Sequence, residues 1–184
     1  MIRGVILARV VYYPKGHYLQ ELEMVSRVIP VEAFDLVIFG GTGDLARRKI
    51  LPSLFRRFAA GQMPDDAFVI GVARSELNTK AYQKLVITAL REFEPELSAS
   101  AELLNFTKQI KYVQIDAQDD FGWLDLAEQV RKDAVQAFYF SVSPSLFGQL
   151  AEKLHEYSIA SQSSRIVLEK PVSYTHLRAH ETSL

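Results

Sequence analysis

The stretch with the plainest chemical capacity is a glycine-rich turn, Gly40-Gly41-Thr42-Gly43, followed directly by Asp44-Leu45. Residues without a side chain accept positive φ and let a ligand approach the backbone. A short apolar run, Phe34 to Phe39, precedes the turn, and Ala46, Ile50, Leu51, Leu54, Phe55 and Phe58 follow it at helical spacing. A strand, a tight turn and a helix in that order aim unpaired N–H groups and the positive end of the helix dipole at one point. An anion is the natural occupant there. No G-K-[ST] follows, so the turn is not a P-loop. The G-x-x-G spacing alone also suits a turn that carries glycine for steric reasons.

Two further positions bear chemistry. The apolar run Ala67 to Ala73 ends in Arg74-Ser75, and the run Arg165 to Leu168 ends in Glu169-Lys170-Pro171. If both runs are parallel strands, these residues and the glycine turn share the carboxyl edge of one sheet, where ligands of open α/β sheets bind. An acid after the second strand of a dinucleotide fold selects the 2'-hydroxyl of NAD. Arginine there instead offers a planar fork to a 2'-phosphate, and Ser75 adds a hydroxyl. Such a charge-assisted bond contributes ~1.5 to 3 kcal/mol, which favours NADP over NAD by about ten- to a hundredfold.

The elements that must position these groups alternate regularly. After a helix from Ala46 to Ala60, Gly61 and Pro64-Asp65-Asp66 form a stop and a turn. Ala67 to Ala73 then reads as a strand buried on both faces. Asn78 or Thr79 caps a second helix with the stripe Tyr82, Leu85, Val86, Ala89, Leu90 and Phe93, and a short helical stretch carries Leu103, Leu104 and Phe106. Ile110 to Ile115 alternates like a strand near a sheet edge. Asp120 to Lys132 is helical, with Phe121, Leu124, Ala127 and Val130 on one side. Val135 to Val142 is another buried strand. Ser143-Pro144 caps and opens a helix with Leu146, Phe147, Leu150, Ala151 and Leu154 inward, and Arg165 to Leu168 is the last strand. The expected class is α/β, a doubly wound parallel sheet of Rossmann type in a single domain.

Composition narrows the class of function. With 184 residues, 48% hydrophobic and 23% charged, the chain suits one globular domain. A net charge of −1 gives no global attraction to nucleic acid or an anionic membrane. There are no cysteines, which excludes disulfides, thiolate zinc sites and cysteine nucleophiles, and fits a cytoplasmic placement. The run Val5 to Tyr13 is interrupted by Arg9 and is far shorter than the ~20 residues that span a bilayer. His176, His180 and Glu181 have a spacing at which two histidines share a helix face, but no third convincing ligand joins them, so no metal site is expected.

G-G-T-G-D-L-A-R-R-K-I-L-P-S-L, from Gly40 to Leu54, resembles the opening motif of the glucose-6-phosphate dehydrogenase family nearly residue for residue. The resemblance extends through Arg74, the strand and turn Phe138 to Pro144, and the E-K-P of Glu169 to Pro171. It implies NADP as cofactor, bound by Gly40, Gly41, Thr42, Gly43, Asp44, Leu45, Arg74 and Ser75, with Val142, Ser143 and Pro144 beside the nicotinamide half. It also implies that Lys49 and Lys170 lie near the substrate, glucose 6-phosphate. Pro52, also in the family pattern, should kink the first helix or end its first segment by removing a bond to Arg48 and crowding its carbonyl.

The resemblance also sets boundaries. Residues 1–31 form an extension, within which Met24 offers an alternative start; residues 32–171 form the NADP-binding domain; residues 172–184 depart from the family and are expected to be a foreign tail. The family's catalytic histidine, in R-I-D-H-Y-L-G-K, and its β-sheet domain for homo-oligomerisation are expected beyond Leu184, and neither His17 nor His155 replaces that histidine by position. The expectation is thus the coenzyme portion of an oxidoreductase of the pentose phosphate pathway, without turnover of its own. Two rivals stand beside it: a non-catalytic NADP-sensing module of the atypical short-chain dehydrogenase type, and an inert truncation product with an exposed apolar docking face.

Overall fold

In the computed structural model, residues 32–168 are described. Phe34–Phe39 forms β1, whose near-continuous apolar sequence serves two faces at once: Val37 and Phe39 enter one core, and Ile38 the other. That pattern requires a strand with neighbours on both sides and helices above and below. The sheet supplies them. β2 (Phe68–Ala73) and β4 (Val135–Phe140) pair parallel with β1, while β3 (Ile110–Gln114) and β5 (Arg165–Leu168) form the edges, in the order β3-β2-β1-β4-β5. All four pairings are parallel. The first strand is central, and the chain winds outward one way and then the other. This is the doubly wound sheet expected from the alternation of elements.

Helices α1 (Leu51–Ala59), α2 (Thr79–Phe93) and α3 (Glu102–Lys108) cover one face, with Leu51, Phe55, Tyr82, Val86, Leu90, Leu103 and Phe106 in one core. The other face is covered by α4 (Trp123–Gln129) and α5 (Phe147–Glu156), which bury Trp123, Leu126, Leu150 and Leu154. Asn78 caps α2, its Oδ1 accepting from the Ala81 amide at 2.9 Å.

Pro52 acts as expected, with a particular geometry. The first helix begins as a wide π turn, Ala46–Ile50, in which the Leu51 amide donates to the Ala46 carbonyl five residues back. Only after it does α-helical winding start, with Pro52 in its first turn. A proline has no N–H for the Arg48 carbonyl, and the wider turn relieves the crowding its ring would cause.

Other expectations are corrected. In α4 the buried side chains are Trp123 and Leu126, joined by Val130 just after the helix as expected, whereas Phe121 and Leu124 are 59% and 68% exposed. Gly122 explains the shift: its φ of +84° turns the chain just before the helix, so Phe121 lies outside the helical register. Leu104 and Ala151 likewise face solvent. Ser143 and Pro144 hold the N-cap and first-turn positions as expected, but of a short 3₁₀ turn, Pro144–Leu146, that leads into α5, and the Ser143 hydroxyl meets Ser145 Oγ at 2.9 Å in place of a capping bond. The extension, the E-K-P motif and the tail with its histidines lie outside the described residues.

The end of the sheet opposite the glycine turn is tied by a buried charge that periodicity does not reveal. Asp35, wholly inaccessible, accepts from the Arg131 backbone amide at 2.7 Å and from its Nη2 at 2.6 Å and Nε at 3.1 Å. Arg131 also donates to the Asp66 carbonyl at 2.7 Å, and its guanidinium lies 4.7 Å from the centre of the Phe68 ring. One side chain thus joins the starts of β1 and β2 to the loop that leads into β4. The carboxylate holds the Arg131 guanidinium above its ordinary range, so the arginine stays protonated. Removing one member strands the other without its partner. Asp35→Ala should therefore lower unfolding free energy by about 3 kcal/mol in urea titration; a loss under about 1 kcal/mol would show that the pair does not anchor the sheet.

Candidate functional site

A cleft of about 710 Å³ opens at the carboxyl ends of β1, β2 and β4, where the strand order reverses direction. Gly40, Thr42 and Gly43 line it from the turn, Arg74 and Ser75 from the end of β2, and Val142 and Ser143 from the end of β4. The structure therefore brings together residues that are far apart in sequence. Thr42 Oγ1 lies 3.5 Å from Ser75 Oγ, which sets the glycine turn and the arginine loop side by side.

The three glycines have different tasks. Gly40 has a φ of +85°, and a Cβ there would fall 2.2 Å from the Ser141 carbonyl oxygen, so its bareness permits close passage of β1 past β4. Gly41 is buried and turned from the cleft, against Gly71 and the Tyr82 hydroxyl. Gly43 faces the cleft, exposed, and a Cβ would meet only the Gly40 carbonyl oxygen, at 3.0 Å. Its missing side chain is the one that leaves room for a ligand.

The backbone donors are equally divided. The amides of Gly40 and Gly41 both donate to the Val72 carbonyl, at 2.8 and 3.0 Å, and the Gly43 amide donates to Gly40 at 2.9 Å. Those three N–H groups hold the turn together. Among the described residues, the amides of Thr42, Asp44 and Leu45 lie outside these bonds, at the open N-terminal end of the helix. A phosphate fits that set of donors, with the helix dipole behind it.

Arg74 is exposed, and among the described residues it has no carboxylate within ion-pair distance. The neighbouring helix differs: Arg47 faces Glu92 at 3.9 Å, Arg48 faces Asp44 at 3.8 Å, and Arg56 pairs with Glu94. Asp44 thus meets Arg48 and makes no cap. Asp44, Leu45, Pro144 and the exposed Lys49 lie outside the cleft's lining, and Lys170 lies outside the described residues.

Sequence reasoning missed part of the site. Ile115, Asp116, Ala117 and Gln118, after β3, line the cleft, as do Leu146 and Leu150. Strand order alone places the β3 loop beside the β2 loop, and no local motif announces it. Two tyrosines lie beneath the site, Tyr82 from the apolar stripe of α2 and Tyr112 from β3, and no motif marks either. Tyr82 donates to the Gly41 carbonyl at 2.9 Å, and Tyr112 donates towards the carbonyls of Ala73 and Ser75 at 3.0 and 2.6 Å. Burial raises the Tyr82 hydroxyl well above its ordinary value and pushes Tyr112 up to about 12, so both remain protonated donors at neutral pH.

Comparison with known proteins decides the family. Residues 37–182 match the family described as glucose-6-phosphate dehydrogenase, NAD binding domain. The chain belongs to the glucose-6-phosphate dehydrogenase family. It is 40% identical over 152 residues to glucose-6-phosphate 1-dehydrogenase of Rhizobium meliloti (strain 1021), covering 81% of this chain and 31% of that protein. It is 40% identical over 147 residues to the enzyme of Gluconobacter oxydans (strain 621H), covering 77% and 30%. Among solved structures, glucose-6-phosphate 1-dehydrogenase from Mycobacterium avium superposes with a TM-score of 0.68 at 26% identity, over 77% of this chain and 30% of that one. A glucose-6-phosphate dehydrogenase in complex with its substrate glucose-6-phosphate superposes with a TM-score of 0.64 at 27% identity, over 76% and 31%.

The chain thus spans about 30% of the length of these relatives, the part that carries the family's nicotinamide dinucleotide site. None of these relatives is a non-catalytic sensor, and that rival is not favoured. No described helix is long and apolar enough to cross a membrane.

The turn's geometry gives a direct test. Gly40→Ala should lower unfolding free energy by roughly 2 kcal/mol or more, through both its positive φ and the collision with Ser141. Gly61→Ala, at a φ of +65° with nothing within 4 Å of the added carbon, provides the comparison. Equal losses for the two in urea titration would remove the close-approach explanation.

Proposed function

We propose that this chain is the NADP-binding portion of a cytoplasmic enzyme that oxidises glucose 6-phosphate to 6-phosphogluconolactone, with NADPH as the second product. The observation that carries the coenzyme choice is Arg74: a guanidinium without an ion-pair partner among the described residues, in the same cleft as the glycine turn and with Ser75 beside it. A 2'-phosphate satisfies that fork; a 2'-hydroxyl leaves it in water.

The residues of the cleft and those assigned beside it each have a task in this reading. The amides of Thr42, Asp44 and Leu45 receive the diphosphate at the positive end of the helix. Arg74 and Ser75 hold the 2'-phosphate. Backbone from Val142 to Pro144 borders the nicotinamide, and Lys49 and Lys170 serve the sugar phosphate. When bound, the nicotinamide supplies the hydride acceptor for C1 of the sugar. A base must also take the proton of the C1 hydroxyl, and the lining of the described cleft holds no histidine for that purpose. The chain as it stands is therefore proposed to bind coenzyme without oxidising sugar. The substrate assignment is supported by the relatives, which are glucose-6-phosphate 1-dehydrogenases.

Calorimetric titration of the purified chain with NADP and with NAD tests the reading. NADP should bind about ten- to a hundredfold more tightly, and Arg74→Ala should remove most of that preference while leaving NAD nearly unchanged. Equal affinities in the wild type, or a preference that survives Arg74→Ala, would refute it.

A further inference from the structure

The sheet ladder controls backbone direction only as far as its last pair. On the β2 side that pair is Ala73 with Gln114, so Arg74 and Ser75 lie just beyond regular pairing. Arg74 is exposed, and its guanidinium is held by no ion pair among the described residues. Apart from the 3.5 Å contact between the Thr42 and Ser75 hydroxyls, the bonds to this loop among the described residues act on its backbone.

Side chains of β3 do this. Tyr112 is 4% exposed, and its hydroxyl lies 3.0 Å from the Ala73 carbonyl oxygen and 2.6 Å from that of Ser75, the two carbonyls that bracket Arg74. The Arg74 carbonyl itself accepts from Gln114 Nε2 at 3.3 Å. The Leu77 amide donates to the Ser75 carbonyl at 2.9 Å and closes the turn. The single Tyr112 proton is thus shared between the carbonyls of Ala73 and Ser75, the shorter contact being to Ser75, and Gln114 reaches the carbonyl between them. The Tyr112 ring is fixed in turn by Tyr82, with centroids 4.9 Å apart, and Tyr82 is seated over Gly71, where any Cβ would fall 2.3 Å from its ring.

The geometry points to Tyr112 as a positioning residue for coenzyme selection: by holding the carbonyls on either side of Arg74, it presents the guanidinium and the Ser75 hydroxyl to the 2'-phosphate of NADP. The inference rests on the NADP reading proposed above. Tyr112 touches no ligand in this account; it reduces the ordering that Arg74 must undergo on binding. Tyr82 has a different task, since its hydroxyl holds the Gly41 carbonyl in the turn that serves the diphosphate common to NADP and NAD.

The two tyrosines therefore separate experimentally. Affinities of the purified chain for NADP, NAD, 2',5'-ADP and 5'-AMP are measured by calorimetry for the wild type, Tyr112→Phe, Tyr82→Phe and Arg74→Ala, with circular dichroism melting of each. Tyr112→Phe is expected to weaken NADP and 2',5'-ADP about fivefold, the size of one lost neutral hydrogen bond, and to leave NAD and 5'-AMP unchanged. Tyr82→Phe should weaken NADP and NAD by the same factor. If Arg74→Ala abolishes the NADP preference while Tyr112→Phe preserves it, the cofactor reading stands and the role of Tyr112 is overturned. If the wild type shows no NADP preference, both fall. Should Tyr112→Phe fail to fold, Gln114→Ala carries the same test, with an expected two- to threefold loss confined to NADP and 2',5'-ADP; no change in that variant overturns the proposal.

Discussion

Two amides converge on one carbonyl at the centre of this structure. Gly40 and Gly41 both donate to Val72, which fastens the turn after β1 to the end of β2. Neither residue can carry a side chain there without moving backbone, since Gly40 abuts Ser141 and Gly41 abuts Gly71. β1 is thus held between its neighbours at the point where the sheet's winding changes direction. The cleft exists because the turn spends these amides inward and leaves those of the helix start facing out. Internal bonds give the turn its shape, and the donors outside them are the ones the proposed coenzyme reading assigns to an anion.

The two ends of the sheet are secured by opposite means. At the amino end a buried carboxylate and a guanidinium join the starts of β1 and β2 to the loop that leads into β4. At the carboxyl end no charged side chain is buried among the described residues. Neutral tyrosine hydroxyls brace the backbone there, and Arg74 is exposed. A buried charge beside the cleft would alter the field felt by a bound phosphate, whereas a phenol donates a hydrogen bond without adding charge. The ion pair lies at the end where the β1 turn is absent.

The helix above the cleft shows how a local constraint enters the site. Pro52 leaves the Arg48 carbonyl without its usual donor, and the chain responds with a π turn from Ala46 to Ile50. That widening sets the register of the basic residues. Arg47 and Arg48 meet Glu92 and Asp44, so the charge run is largely neutralised by its neighbours, while Arg74, one strand over, is left without a partner of that kind among the described residues. The density of positive charge in the sequence is therefore a poor guide to which cation is left without an ion pair.

The sequence by itself determined the order of strands and helices, the glycine turn between β1 and its helix, and the arginine at the end of β2, because periodicity, turn chemistry and proline restriction are local properties. Tertiary structure alone decided the rest. Which amides the turn uses internally depends on a carbonyl from another strand, and the Tyr112 hydroxyl finds its partner in a loop 37 residues away in the chain. Asp35 reads as an intruder in an apolar run until Arg131 is folded against it. Phe121 and Leu124 seemed inward by spacing, and the positive φ of Gly122 turned them out. In each case the deciding partner is distant in sequence, and a hydrogen bond or steric contact between distant residues leaves no periodic trace along the chain.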